Sequence, residues 1–384
     1  MESLTLIVKV TRRCNLRCVY CNDWRPNTAP VMSMQTLDRT LVTALTDPAS
    51  TMAVIAWHGG EPTLAPLEFY EYAVRRQREL TAEHGRLVAN VVQTNGVSLS
   101  DRWLDFIAAN NFRVGISLDG PQELNDRMRP TVSGRGSFRA VRATMDKMLD
   151  RGIPFATLMV LSQEMIDLGA DRIWRFIEDE GLTDVDLIPA RPPNTPEHET
   201  VSPQAVKFSA GEASDRWSEF LCDLFDRWWT SKRPVRITTM DSVVRRVLGA
   251  SSVGCVTSGD CMGRFFGIEP TGEVYVCGLY EDLSDFVIGT VHGDTFAQMR
   301  QHPSYLQTVS DNDQRLADHR NCPGFDICAG GCPHDYHLSR QYLGPDAYAN
   351  CCGWRPFVEH VREGVRASTA ASTGATALPV AKVR

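Results

Sequence analysis

Cys14, Cys18 and Cys21 stand in the spacing C-x3-C-x2-C. Thiolates so close on one loop can wrap an iron–sulfur cluster. Three cysteines on a four-iron cluster leave one iron open for a substrate or cofactor. A structural zinc site would need a fourth ligand, commonly from a second C-x2-C knuckle, and no such knuckle is near. The chain has twelve cysteines, and eight of them follow position 254. Disulfides are disfavoured in a reducing compartment, so clustered thiols point to metal. Only Cys222 stands apart, inside a helical pattern, where a thiol packs as a small hydrophobe.

These residues need a scaffold. Six β-rich runs, residues 4–10, 53–57, 88–93, 112–117, 155–161 and 184–188, alternate with amphipathic stretches at 34–45, 67–80, 101–110, 137–151 and 165–180. Such alternation predicts an α/β fold with a parallel sheet and right-handed crossovers. Six units make an open or partial barrel, with chemistry at the C-terminal strand ends. The unusual residues fall there. The first strand enters the cysteine loop. The second ends in His58-Gly59-Gly60-Glu61-Pro62, the third in Gln93-Thr94-Asn95-Gly96, and the fourth in Ser117-Leu118-Asp119-Gly120. Residues 190–200 read as a loop and 214–230 as a helix. After Cys255, glycine and cysteine dominate and helix periodicity fades, as in a small domain organised by metal. The expected divisions are 1–232, 233–366 and a disordered tail, 367–384.

The 384 residues are 43% hydrophobic and 23% charged, as in a globular protein. A net charge of −7 speaks against nucleic acid as a partner. No apolar run reaches the length of a membrane span, and the start shows no signal-peptide pattern, so a cytoplasmic location is expected.

With Tyr20 before its last cysteine, the loop resembles the signature of the radical S-adenosylmethionine (SAM) superfamily. The resemblance implies a partial (β/α)6 barrel, with a [4Fe-4S] cluster on Cys14, Cys18 and Cys21. It also implies SAM on the open iron and an external electron donor of the flavodoxin or ferredoxin type. In that family SAM yields a 5′-deoxyadenosyl radical, while the protein supplies orientation. Gly59, Gly60, Glu61 and Pro62 match the family's GGEP motif, whose backbone meets the SAM amino group. Gln93, Asn95, Ser117 and Asp119 match motifs near its ribose and methionine, and Arg129 would reach its carboxylate.

The later cysteines resemble a SPASM domain, a cysteine-rich unit holding two auxiliary clusters, for three [4Fe-4S] clusters in all. Carried over, auxiliary cluster I takes Cys255, Cys261, Cys277 and Cys332. Cluster II takes Cys322, Cys328 and Cys351. The family's remaining cysteine is replaced by His319, an expected fourth ligand, with Cys352 as the alternative.

Within the superfamily the chain resembles anaerobic sulfatase-maturing enzymes, which oxidise a serine or cysteine to formylglycine. Their proposed base is an aspartate directly after the third cysteine of cluster I, and here Gly278 stands at that position. Tyr280, Glu281 and Asp282 are the substitutes at hand, since a base must reach its proton. Gly278 is also expected to leave room for a bulky side chain. The first expectation is therefore an oxidoreductase that crosslinks a ribosomally made peptide. A sulfatase maturase with a displaced base is the second, and a sugar or aminocyclitol dehydrogenase or epimerase the third.

Overall fold

The computed structural model describes residues 3–25, 29–194, 204–208, 212–347 and 351–372. Its strands are β1 (Ser3–Thr11), β2 (Met52–Gly59), β3 (Leu87–Thr94), β4 (Arg113–Ser117), β5 (Phe155–Leu161), β6 (Asp184–Pro189), β7 (Arg236–Ile237), β8 (Phe265–Ile268), β9 (Glu273–Tyr275) and β10 (Val287–Thr290). Two compact units share them. The first holds Met1–Leu118, Asn125–Phe155 and Cys261–Asp311; the second holds Asp119–Leu124, Ala156–Asp260 and Asn312–Arg384.

In the first unit β1 to β4 pair parallel in chain order. Leu4, Leu6, Val8 and Val10 of β1 are all buried, one face of an alternating strand. The helix Met34–Leu45 starts where the Ser33 side chain accepts from the Thr36 N–H. The helix Leu67–His84 stops at Gly85, whose φ of 67° suits a residue without a Cβ. Between helices and sheet, Trp57, Tyr70 and Trp103 meet edge to face.

The unit also takes a segment expected elsewhere. β8 pairs parallel with β1, Thr5 to Val8 against Phe265 to Ile268, and β9 and β10 follow as an antiparallel meander. The expected boundary at 232/233 thus does not separate the compact units. An open β1 edge needs covering, and β8 supplies the ladder.

The second unit contains parallel β5, β6 and β7. The stretch expected as one helix at 165–180 is two, Gln163–Leu168 and Ala170–Asp179, broken at Gly169 with φ 88°. Helical structure does not fade after Cys255: Pro303–His319, Pro333–Leu343 and Arg355–Ser372 are helices. The last runs through 367–372, which were expected to be disordered. Phe357, Val358, Val361 and Val365 are buried at helical spacing and hold it down. Residues 373–384 and 195–200 of the expected loop lie outside the described residues. No helix among the described residues is long and apolar enough to cross a membrane.

Candidate functional site

The cysteine loop leaves β1 at Thr11 and is gripped from two sides. On one side the end of β2 presses on its root. The Gly60 and Glu61 N–H groups donate to the Thr11 and Arg13 carbonyls, both at 2.8 Å. Gly59 has φ +117°, and a Cβ there would stand 2.1 Å from the Thr11 oxygen. A Cβ on Gly60 would stand 2.3 Å from the Arg13 oxygen. The close approach these glycines make in this structure is to the end of β1 and the root of the cysteine loop. On the other side, Arg17 N–H donates to Pro130 O (2.7 Å), Val19 to Met128 O (3.0 Å), and Val132 to Asn15 O (3.2 Å).

Within the loop, sulfur receives N–H groups. Leu16 N lies 3.4 Å and Asn95 Nδ2 3.8 Å from Cys14 Sγ, and Asp23 N lies 3.4 Å from Cys21 Sγ. Burial pushes the Cys14 thiol up to about 11 and the Cys21 thiol upward as well. N–H donors aimed at sulfur are what a metal-bound thiolate needs. All twelve cysteines are thiols rather than disulfides. The donors shown reach Cys14 and Cys21, and among the described residues no three His, Cys, Asp or Glu side chains are gathered closely enough to hold a single metal ion.

Around the loop the strand ends are tied together. Buried Glu61 accepts from Thr63 Oγ1 (2.6 Å), Thr94 Oγ1 (2.8 Å) and the Asn95 N–H (2.7 Å), joining the ends of β2 and β3. Pro62 begins the single turn Pro62–Leu64. Gln93 Nε2 donates to Ser117 Oγ at 3.1 Å. The Arg129 guanidinium lies 5.4 Å from the Tyr20 ring and opposes the upward shift of Cys21. The structure thus brings Tyr20, Glu61, Asn95 and Arg129 to the loop. Asp119, in the second unit, accepts from the Val160 N–H at 2.9 Å.

Beside the loop sits an acid–base group that sequence reasoning assigned only in part. Lys9 of β1 donates to Asp23 (2.5 Å) and to Glu281. His58 Nδ1 lies 3.6 Å from Asp23, and Arg12 makes a forked pair with Glu269. Lys9 has one charge for two acids. Asp23 also has His58 and Arg12, so it stays ionised, held well below the usual carboxylate range. Glu281 is left with burial as the main influence and is pushed up to about 8. Of the other expected bases, Tyr280 is buried with its ring 4.2 Å from that of Phe286. Asp282 is half exposed and paired with Arg12 and Arg25. Lys9 was missed, although a lysine within an alternating apolar strand is a signal in itself.

The room expected beside Gly278 does not exist. A Cβ there would stand 2.8 Å from Ile7 Cβ, and one on Gly267 would stand 2.8 Å from Gly278 Cα. Strand packing of β8 on β1 requires this glycine.

In the second unit, four thiols form one connected group. Cys322 is hydrogen-bonded to Cys351, Cys351 to Cys352, and Cys352 donates to Cys328 at 3.3 Å. Cys352, the expected alternative to His319, is thus in contact with Cys328. His319 is buried, with Nδ1 donating to the Arg315 carbonyl (2.6 Å) and its ring edge on Tyr336. Cys255 and Cys332 both neighbour Arg191 here, while Cys261 and Cys277 belong to the first unit.

Residues 8–167 match the radical SAM superfamily. A cysteine-type anaerobic sulfatase-maturating enzyme of Clostridium novyi is 27% identical over 86% of this chain and 88% of its own length. A serine-type anaerobic sulfatase-maturating enzyme of Bacteroides thetaiotaomicron is 27% identical over 91% and 86%. Native anSMEcpe with bound AdoMet and Cp18Cys peptide superposes with a TM-score of 0.84 at 23% identity, covering 97% of this chain and all of that one.

Proposed function

The chain carries a radical SAM domain, and on that premise we propose that it oxidises a serine or cysteine side chain of a peptide segment, with Glu281 as the proton acceptor. The likeness to both types of sulfatase-maturating enzyme along nearly the whole chain supports this reading, as does the peptide bound by the similar solved structure. Cys14, Cys18 and Cys21 hold a [4Fe-4S] cluster with SAM; Cys255, Cys261, Cys277 and Cys332 hold one auxiliary cluster, and Cys322, Cys328, Cys351 and Cys352 or His319 the other. When bound, these groups supply hydrogen-atom abstraction from the side-chain carbon and uptake of the second electron. The chain's own task is the hydroxyl or thiol proton. The observation that carries the reading is Glu281, a buried carboxylate whose Lys9 partner is shared with Asp23. It supplies the base that Gly278 cannot.

Gly278 also motivated the first expectation, a crosslink, but Ile7 fills the space that reading called for. Anaerobic incubation of the reconstituted protein with SAM and a sulfatase-motif peptide, read by mass spectrometry, separates the two. The aldehyde is expected; a product two hydrogens lighter, with no aldehyde reactivity, would move the enzyme to the crosslinking class.

A further inference from the structure

We infer that a groove in the second unit is the docking surface for an acidic one-electron carrier, a small flavin or iron–sulfur protein. The groove has a volume of about 580 Å³ and lies between the end of the helix Thr238–Val247, the short helix Phe325–Cys328 and the helix Arg355–Ser372. Its floor is apolar, with Val247, Ile327 and Val365. Its rim carries Arg246, Arg362 and Arg366 against one acid, Asp326. The whole chain has a net charge of −7. A local excess of arginine on an acidic protein selects a negatively charged partner for this face and repels it elsewhere.

Two of the arginines are fixed in place by the segment that bears the cysteines. Arg246 Nη2 donates to the Asp326 carbonyl at 2.8 Å. Arg362 donates to the Pro323 carbonyl (3.2 Å) and the Asp326 carboxylate (2.8 Å). Asp326 and Ile327 line the groove, and the next residue is buried Cys328, a member of the four-thiol group. A partner seated here would face the outer side of the Cys322-to-Cys328 loop. The electron step is simple. Substrate oxidation releases two electrons: one leaves with the abstracted hydrogen atom, and the second is taken up by the protein. The oxidised carrier accepts that single electron from the reduced cluster on this loop, and no atom is transferred.

This inference rests on the proposed cluster at Cys322 and Cys328. The test uses the reconstituted holoenzyme, its iron counted, and an acidic flavodoxin as probe. Affinity is measured by calorimetry, and electron transfer from dithionite-treated holoenzyme to oxidised flavodoxin by stopped flow. Arg366→Glu is expected to weaken binding and slow transfer about tenfold at low salt, with the difference fading at high salt. Arg366→Lys should restore both. Arg233→Glu, a charge reversal outside the groove, should change neither. Equal binding and transfer in Arg366→Glu, with iron intact, would overturn the docking surface alone. A Cys322→Ala/Cys328→Ala variant that keeps the full iron content of the wild-type protein would overturn the cluster and the surface together.

Discussion

Glu281 binds the proposed chemistry to one atom pair. Hydrogen abstraction does not need a base, whereas forming the carbonyl or thiocarbonyl does. Glu281→Gln should therefore leave SAM cleavage near the wild-type rate and lower product about 100-fold or more. Equal loss of both would assign Glu281 a structural role. The pH dependence has a definite sign. Burial dominates over the neighbouring Lys9, Asp23 and Glu269, so the carboxyl is mostly protonated at neutral pH and becomes a competent base as pH rises toward about 8. Product per SAM cleaved should climb between pH 6 and 8 and then level off. A ratio that is flat or falls across this window would exclude Glu281. The neighbouring Gly278 makes the opposite kind of prediction. Restoring the maturase carboxylate with Gly278→Asp should not improve activity, because its Cβ meets Ile7 at 2.8 Å. It should cost about 1–3 kcal/mol, as overpacking does, read by chemical denaturation. A stable Gly278→Asp protein with higher aldehyde yield would refute the packing argument.

The strand ends work as clamps on the cysteine loop. Gly60→Ala places a methyl where the Arg13 carbonyl lies, so β2 and the loop root must separate. The expected result is a folded protein that incorporates about a third less iron and cleaves little SAM. Full iron loading in Gly60→Ala would show that the clamp is dispensable. Much of this arrangement was legible beforehand. The strand–helix alternation located β1 to β6 because each strand couples apolar runs to a helix of clear period. The motifs fell at strand ends because glycines and polar residues interrupt those runs. What the sequence hid was long-range. β8 is four residues long, Phe265–Ile268, and only pairing with β1 identifies it as a strand of the first unit. Gly278 looked like a missing catalytic residue because the side chain of Ile7, 271 positions earlier, cannot be seen by spacing. The helix Arg355–Ser372 was obscured at its end by a run of Ser, Thr and Ala, although its buried Phe and Val residues keep the helical period. Lys9 stood out within its apolar strand, but its partners Asp23 and Glu281, 14 and 272 positions away, are joined to it only by folding.

The complete molecule distributes its thiols unevenly, and that distribution predicts its iron. The proposed ligands Cys14, Cys18 and Cys21 lie wholly in the first unit, and the four linked thiols Cys322, Cys328, Cys351 and Cys352 wholly in the second. The third proposed set is Cys255, Cys261, Cys277 and Cys332. Anaerobic reconstitution should therefore give about 12 irons as three four-iron clusters. Cys14→Ala/Cys18→Ala/Cys21→Ala should remove about a third of that iron and abolish SAM cleavage, since the three-cysteine loop is the proposed SAM site. Cys322→Ala/Cys328→Ala should remove a similar share while SAM cleavage continues, because the first unit keeps its own loop, clamp and donors. The last ligand of that second site is then decided by single substitutions. Cys352 is in contact with Cys328, and His319 Nδ1 is bonded to the Arg315 carbonyl of its own helix. If Cys352 ligates, Cys352→Ala loses iron and His319→Ala does not. Imidazole ligation would reverse that order, and it would leave a cluster of higher potential than an all-thiolate one, because imidazole is neutral where thiolate is charged. Unchanged SAM cleavage in the first triple variant would remove the basis for all of these assignments, since each depends on the loop at Cys14 to Cys21 holding the cluster that starts the reaction.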